Sequence, residues 1–262
     1  MMLAVVAESP TTFLDSKNSA FVTRGSAANE QLQIRETLAT KVSAPSWLLY
    51  RYNKPAIILG AAQRPNEQQL ARAVSQGVEL VRRKSGGGAV MAGAEMLSVS
   101  VFLPRHHPIS TGSTVKAYHW IGELWQKVFT SYRLCTRLPN AEDIAQSKQQ
   151  AERHSIDWAC YGAVAHGELL DQQGRKLLGV AQIRSRHGCV LTCGVYLYPP
   201  NWRLLANVVK DQPDQASILA PYNASVHCLA GADAESVIAS LPRRIQDYLS
   251  NEFNDQTLDV ML

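Results

Sequence analysis

The chain lacks the features that mark several protein classes. No apolar run is long enough to cross a bilayer. Residues 1–6 are apolar but too short for a secretory core, and no cationic residue precedes them, so the expected compartment is the cytoplasm with no membrane partner. Cysteine is scarce and odd in number: the five are Cys135, Cys160, Cys189, Cys193 and Cys228, irregularly spaced. That pattern fits reduced thiols better than a disulfide framework. Cys189 and Cys193 have no matching second ligand pair, which argues against structural zinc, and no metal site is expected. The net charge of +4 is spread along the chain, so no stretch is dense enough to call for nucleic acid. A mildly basic surface suits an acidic protein partner. Internal repeats and low-complexity segments are also missing.

What is present is ordinary globular composition, 46% hydrophobic and 18% charged over 262 residues, enough to bury a substantial core in one large domain or two small ones. Against this background one run stands out: Val81-Arg82-Arg83-Lys84-Ser85-Gly86-Gly87-Gly88-Ala89-Val90. Three consecutive glycines weaken a strand interior. They suit a place where backbone approaches something closely, or where successive N–H groups face an anion or a carbonyl oxygen. The apolar stretches on either side read as strands. An anion cradle and an ordinary cationic hairpin turn both fit this pattern. The run lacks the Gly-Lys-Ser/Thr ending of a Walker loop and the following helix of a dinucleotide fingerprint.

A second constellation lies downstream, Glu168-Leu-Leu-Asp171-Gln-Gln-Gly174-Arg175-Lys176-Leu-Leu-Gly179-Val-Ala181-Gln182. Residues 171–174 have the chemistry of a turn between two strands. Lys176 then enters an apolar strand, where a lysine either snorkels to water or is held for a purpose. Cys160 precedes this hairpin in Ala-Cys-Tyr-Gly; a cysteine among apolar residues is commonly a small buried hydrophobe.

The rest of the chain alternates helix and strand signals. Ser26 is a reasonable N-cap for a helix with Ala28, Leu32 and Leu38 near helical spacing, read as an amphipathic surface helix. Residues 47–52 and 56–60 predict strands joined by Asn53-Lys54-Pro55, and residues 66–76 a helix ending at Gly77. Residues 98–103 alternate as a half-buried strand, and residues 113–132 form a helix with an aromatic core stripe. The adjacent His106 and His107 diverge as i,i+1 neighbours and make poor joint metal ligands. Residues 139–157 are polar without clear period and read as a mobile surface loop that could gate a site. A strand over 188–198 pairs back after a turn at 186–188, and residues 202–210 and 234–252 are helical.

The run Arg82-Arg-Lys-Ser-Gly-Gly-Gly-Ala-Val90 strongly resembles the glycine motif of the lipoate–protein ligases and related octanoyl- and lipoyltransferases. Gly174-Arg-Lys176-Leu-Leu-Gly179-Val-Ala181-Gln182 resembles that family's lysine motif, Gly60-Ala-Ala-Gln63 its Gly-x-x-Gln, and residues 28–30 a weakened form of its opening helix. The resemblance implies an α/β (α+β) fold like that of biotin and lipoate ligases. It implies one catalytic domain of mixed β-sheets flanked by helices over 1–262, with a core at 25–230 and a helical segment at 231–262. It further implies attachment of an octanoyl or lipoyl chain to a lysine of an apo lipoyl domain, from a 2-oxoacid dehydrogenase or the glycine cleavage H protein. Carried over by position, Lys176 would stabilise developing negative charge. Arg82, Arg83, Ser85, Gly86, Gly87, Gly88, Ala89 and Val90 would hold the activated carbonyl and its leaving group, with Gln63, Gly179, Ala181 and Gln182 shaping the pocket. Cys160 matches the nucleophile of one octanoyltransferase subfamily, and such a thiol would need a nearby cation to lower its pKa. That version takes its acyl group from a carrier protein thioester and needs no nucleotide. A ligase would instead use lipoate, ATP and Mg²⁺ and dispense with the thiol.

The match is incomplete. Ala92-Gly-Ala-Glu-Met96 stands where relatives read His-Asp-x-Gly-Asn, Val180 replaces a serine, and Cys193-Gly-Val195 replaces His-Gly-Ser. These changes remove polar groups from the expected site. They also motivate a third reading, a non-catalytic binder of lipoyl domains or acyl chains.

Overall fold

The computed structural model describes residues 22–258, with side chains to 254; the apolar start at residues 1–6 lies outside them. The described residues form ten strands and nine α-helices in order: β1 (Val22–Gly25), α1 (Ala27–Ala39), β2 (Ser46–Tyr52), β3 (Ala56–Leu59), α2 (Glu67–Ser75), β4 (Glu79–Arg82), β5 (Val90–Ala92), β6 (Met96–Pro104), α3 (Pro108–Thr111) and α4 (Thr114–Ser131). Then come β7 (Thr136–Arg137), α5 (Ala141–Arg153), β8 (Leu169–Asp171), β9 (Lys176–Arg184), β10 (Gly188–Tyr196), α6 (Trp202–Lys210), α7 (Gln215–Leu219), α8 (Val226–Ala230) and α9 (Ala234–Leu258). The strands form a seven-stranded sheet, β1-β2-β6-β10-β9-β8-β7, and a three-stranded sheet, β4-β3-β5. The expected class, mixed sheets flanked by helices, is what the chain adopts.

Side-chain alternation in the large sheet sorts its two faces. Leu97, Val99, Val101 and Leu103 of β6, with Cys189, Leu191, Cys193 and Val195 of β10, pack in one core with Ile121, Trp125 and Phe129 of α4 and Leu241, Ile245 and Leu249 of α9. The other face carries small residues. Tyr50, Ser98, Gly194 and Gly179 are cross-strand partners in one row, and Leu48, Ser100, Thr192 and Ala181 in the next. A row of serine and glycine leaves space above the sheet, and the small sheet with α1 and α6 roofs it through a second core containing Ile57, Met91, Tyr161, Tyr196 and Trp202. That roof explains why β6, expected to be half-buried, is buried along its whole length.

Two local expectations are corrected. Residues 139–157 are not a loop: Asn140 and Asp143 form a reciprocal capping box that starts α5, and Arg137 pairs with Asp143. Only Ala151 of α5 is fully buried, so the helix shows no apolar stripe in the sequence. On α1, Ser26 caps as expected, but the inner face is Ala27, Glu30, Gln31, Ile34 and Leu38, while Ala28 and Leu32 are exposed. Two buried polar residues rotate the face away from the one the apolar spacing suggests. The strand signals at 47–52 and 56–60 hold, yet β2 and β3 belong to different sheets.

Candidate active site

The glycine run bends between β4 and β5. Gly87 has φ +91, and a Cβ on Gly88 would lie 2.4 Å from the Trp158 carbonyl oxygen and 2.6 Å from the Cys160 nitrogen. The glycines therefore permit a close backbone approach, the first of the two uses their sequence allows. Ala89 completes it as a short parallel bridge: its N–H donates to Trp158 O at 2.8 Å and its carbonyl accepts from Cys160 N at 2.9 Å. Arg83, only 9% exposed, supports the loop from within. Its guanidinium donates to the carbonyls of Ile58, Gly86 and Gly88. Among the described residues, no protein acceptor takes the N–H of Gly86, Gly87 or Gly88. Those three donors are available to an anion or a carbonyl oxygen.

Lys176 opens β9 and is 1% exposed. Its ammonium lies 2.7 Å from Glu168 Oε2 and donates to the carbonyls of Cys160 at 2.7 Å and Ala163 at 2.9 Å. It also sits 4.8 Å from the centre of the Tyr161 ring. Each of its three N–H groups thus has an acceptor, so Lys176 presents a fixed positive field rather than a free donor. Glu168 in turn accepts from the N–H groups of Ala165 and Val180. Burial pushes its carboxyl up, and the Lys176 charge and these hydrogen bonds pull it back only in part.

Two cavities meet at Cys160. One is a narrow slot over the serine–glycine face, about 60 Å³, with walls that include Ile58, Val90, Met96, Tyr161, Gly179 and Gly194. Tyr52 of β2 and Gly179 of β9 place this slot across three strand spacings, roughly 14 Å. At the β2 side Glu30 is buried: its Oε2 accepts from the Tyr52 hydroxyl at 2.7 Å, and burial pushes its carboxyl up. The other cavity is an open chamber of about 370 Å³ bounded by Gly86–Gly88, Asp157, His166, Glu168, Lys176 and Gln182. Cys160, Arg83, Val180 and Ala181 line both. The half-buried Cys160 thus stands where a chain lying in the slot would emerge into the chamber.

Most of the expected site residues come together here. Gly86, Gly87, Gly88, Lys176 and Gln182 line the chamber, Val90 and Gly179 the slot, and Arg83, Cys160 and Ala181 both. Others stand behind them. Gln63 lines neither cavity; its amide links the Gly60 N–H to the Trp158 carbonyl, each at 2.9 Å. The buried Ser85 gives its carbonyl to the Ala61 N–H. Arg82 is exposed at the end of β4 and lines neither cavity. Sequence reasoning did not single out Glu168, the partner of Lys176, or Glu30. A signal existed for each: an acidic residue entering the lysine hairpin, and a glutamate at the resembling position of the opening helix.

The octanoyltransferase LipM of Carboxydothermus hydrogenoformans is 28% identical over 62% of this chain and 60% of its own length. That of Oceanobacillus iheyensis is 30% identical over 65% and 59%. The chain thus matches about three fifths of the length of these relatives. Among solved structures, a bi-partite lipoate protein ligase from Thermoplasma acidophilum superposes with TM-score 0.61 at 17% identity, covering 86% of this chain and 81% of that one. Lipoate-protein ligase A bound with ATP superposes with TM-score 0.60 at 18% identity, covering 88% and 83%. At such identities these two structures speak for the fold. The family model of the lipoyl protein ligase A/B catalytic domain matches residues 27–236, which contain both cavities and the glycine and lysine motifs, and the chain belongs to that family.

Proposed function

We propose that this chain transfers an octanoyl or lipoyl group to the ε-amine of a lysine on a lipoyl domain, through a thioester at Cys160. The observation that carries this reading is the position of Cys160 on the shared wall of slot and chamber. The acyl tail occupies the slot. The Cys160 thiolate attacks the carbonyl of a carrier thioester, a C–S bond forms to Cys160, and the donor leaves as its thiolate. The acceptor amine then attacks the Cys160 thioester, the amide forms, and the amine's proton leaves with the released thiol. Both steps pass through an oxyanion. The free N–H groups of Gly86–Gly88 and the buried charge of Lys176 stabilise it in a partly dry site. Removing one such donor typically costs roughly 3–4 kcal/mol of barrier.

The relatives named octanoyltransferase support this version. The ATP-dependent ligase version draws on Arg82 and Lys84 for phosphate, because the fork of Arg83 is already spent on carbonyls. On this reading residues 1–262 act as one catalytic domain in the cytoplasm. The acceptors are apo lipoyl domains of 2-oxoacid dehydrogenases or the glycine cleavage H protein, and the donor is an acyl carrier protein.

The test incubates the protein with an apo lipoyl domain and either octanoyl-carrier thioester or lipoate, ATP and Mg²⁺, followed by mass spectrometry of both proteins. The expected result is an octanoyl adduct on this chain, absent in Cys160→Ala, that passes to the acceptor without nucleotide. Strictly ATP-dependent labelling that survives Cys160→Ala would establish the ligase instead. No mass gain on the acceptor under either condition would leave a binder.

A further inference from the structure

Beside the chamber, three segments converge at one end of the large sheet and carry only one sign of charge. The β9–β10 hairpin holds Arg184 and Arg186, and β10 begins at Gly188 opposite Pro104, which places Arg105 and His106 alongside. Val42 donates its N–H to the His187 carbonyl, which brings Lys41 to the same end. Arg184 reaches across to the Gly112 carbonyl at 2.6 Å, next to Lys116. All six of these side chains are exposed, and the segments that carry them, residues 39–47, 104–118 and 182–190, contain no aspartate or glutamate. The nearest acidic residue along the chain is Glu36, three positions before the first segment.

This surface continues from the chamber wall. Gln182 lines the chamber and Arg184 follows two positions later on the same strand, about 7 Å on. We infer that the patch is the docking surface for the acceptor domain and that the acceptor presents an acidic surface around its target lysine. This inference rests on the transfer reading. A lysine side chain is short, so the body of the acceptor must sit directly over the chamber mouth. A folded domain of about 100 residues has a radius of gyration near 13 Å, so its footprint reaches Arg184 and Arg186. A donor holding its acyl group on a longer arm is under no such constraint. Opposed charge there speeds encounter and fixes orientation more than it deepens affinity, and salt screens it.

The test measures calorimetric binding of an acidic apo lipoyl domain to the full chain and to Arg105→Glu/Lys116→Glu/Arg186→Glu, at low and high salt. None of the three residues lines the slot or the chamber. We expect wild-type binding to weaken with salt, and the charge-reversed chain to bind at least about tenfold more weakly at low salt. Its acylation at Cys160 by a small octanoyl thioester should stay at the wild-type rate, and Arg105→Lys/Arg186→Lys should bind as wild type does. Acceptor affinity that is unchanged by charge reversal overturns the inference. So does equal loss in the lysine variant, or a short DNA duplex that binds the patch more tightly than the domain does. If the wild-type chain transfers no acyl group, the transfer reading falls, while the calorimetry still decides the surface.

Discussion

Lys176 Nζ and Glu168 Oε2 stand 2.7 Å apart with 2% and 3% of their side chains exposed, sealed between the Cys160 turn and β9. An ion pair so enclosed gains from mutual attraction about what both charges lose in leaving water, so its net contribution to stability is small. Breaking it is another matter. Lys176→Met leaves Glu168 buried without its cation and should cost about 3–5 kcal/mol in urea unfolding. Lys176→Met/Glu168→Gln should recover much of that stability while leaving acyl transfer lost, separating the structural part of the pair from its field at the carbonyl.

Arg83 is the strut of the glycine loop. Its planar fork reaches three carbonyls, Ile58, Gly86 and Gly88, a geometry that a lysine cannot reproduce. Arg83→Lys should speed hydrogen exchange at residues 86–88 and lower the acylation rate. Arg82→Ala, at an exposed position, should change stability by less than about 0.5 kcal/mol.

Gly88 meets the 158–160 backbone so closely that even one methyl must displace it. Gly88→Ala should destabilise the fold by about 1–3 kcal/mol and abolish acylation, because the displaced segment carries the thiol. Gly86→Ala meets no atom within 4 Å and serves as the matched control, with stability near wild type.

Glu30 sets a pH dependence. Burial raises its carboxyl above the ordinary 4.5, so the folded chain holds this proton more tightly than the unfolded chain does. The stability it contributes is full below that ordinary value and falls as pH rises through the raised one. Glu30→Gln cannot lose a proton, so its unfolding free energy between pH 4.5 and neutrality should fall less steeply than that of wild type. Parallel curves for the two proteins would refute the assignment.

How much of this could be read from residue order depends on how local each cause is. The triple glycine, the Lys176 hairpin and the alternation of β6 are signals a few residues long, and all three lead to the site. The face of α1 was not legible, because Glu30 and Gln31 are buried by partners on β2 and in the slot, tens of residues away. The helix at α5 was hidden for the opposite reason: its capping box is visible, but its near absence of buried side chains removes the period. The role of Arg83 was out of reach, since a cation beside a glycine loop can serve a ligand or the loop's own carbonyls with equal chemical sense.

The Ala89 bridge has a mechanical consequence. Two ladder bonds tie the end of the glycine bend to the backbone on either side of Ala159, so the bend and the segment that carries Cys160 are joined directly. On the proposed reading an acyl chain would enter a seat whose two halves are already joined, and the corridor beyond Cys160 would set the chain length it accepts.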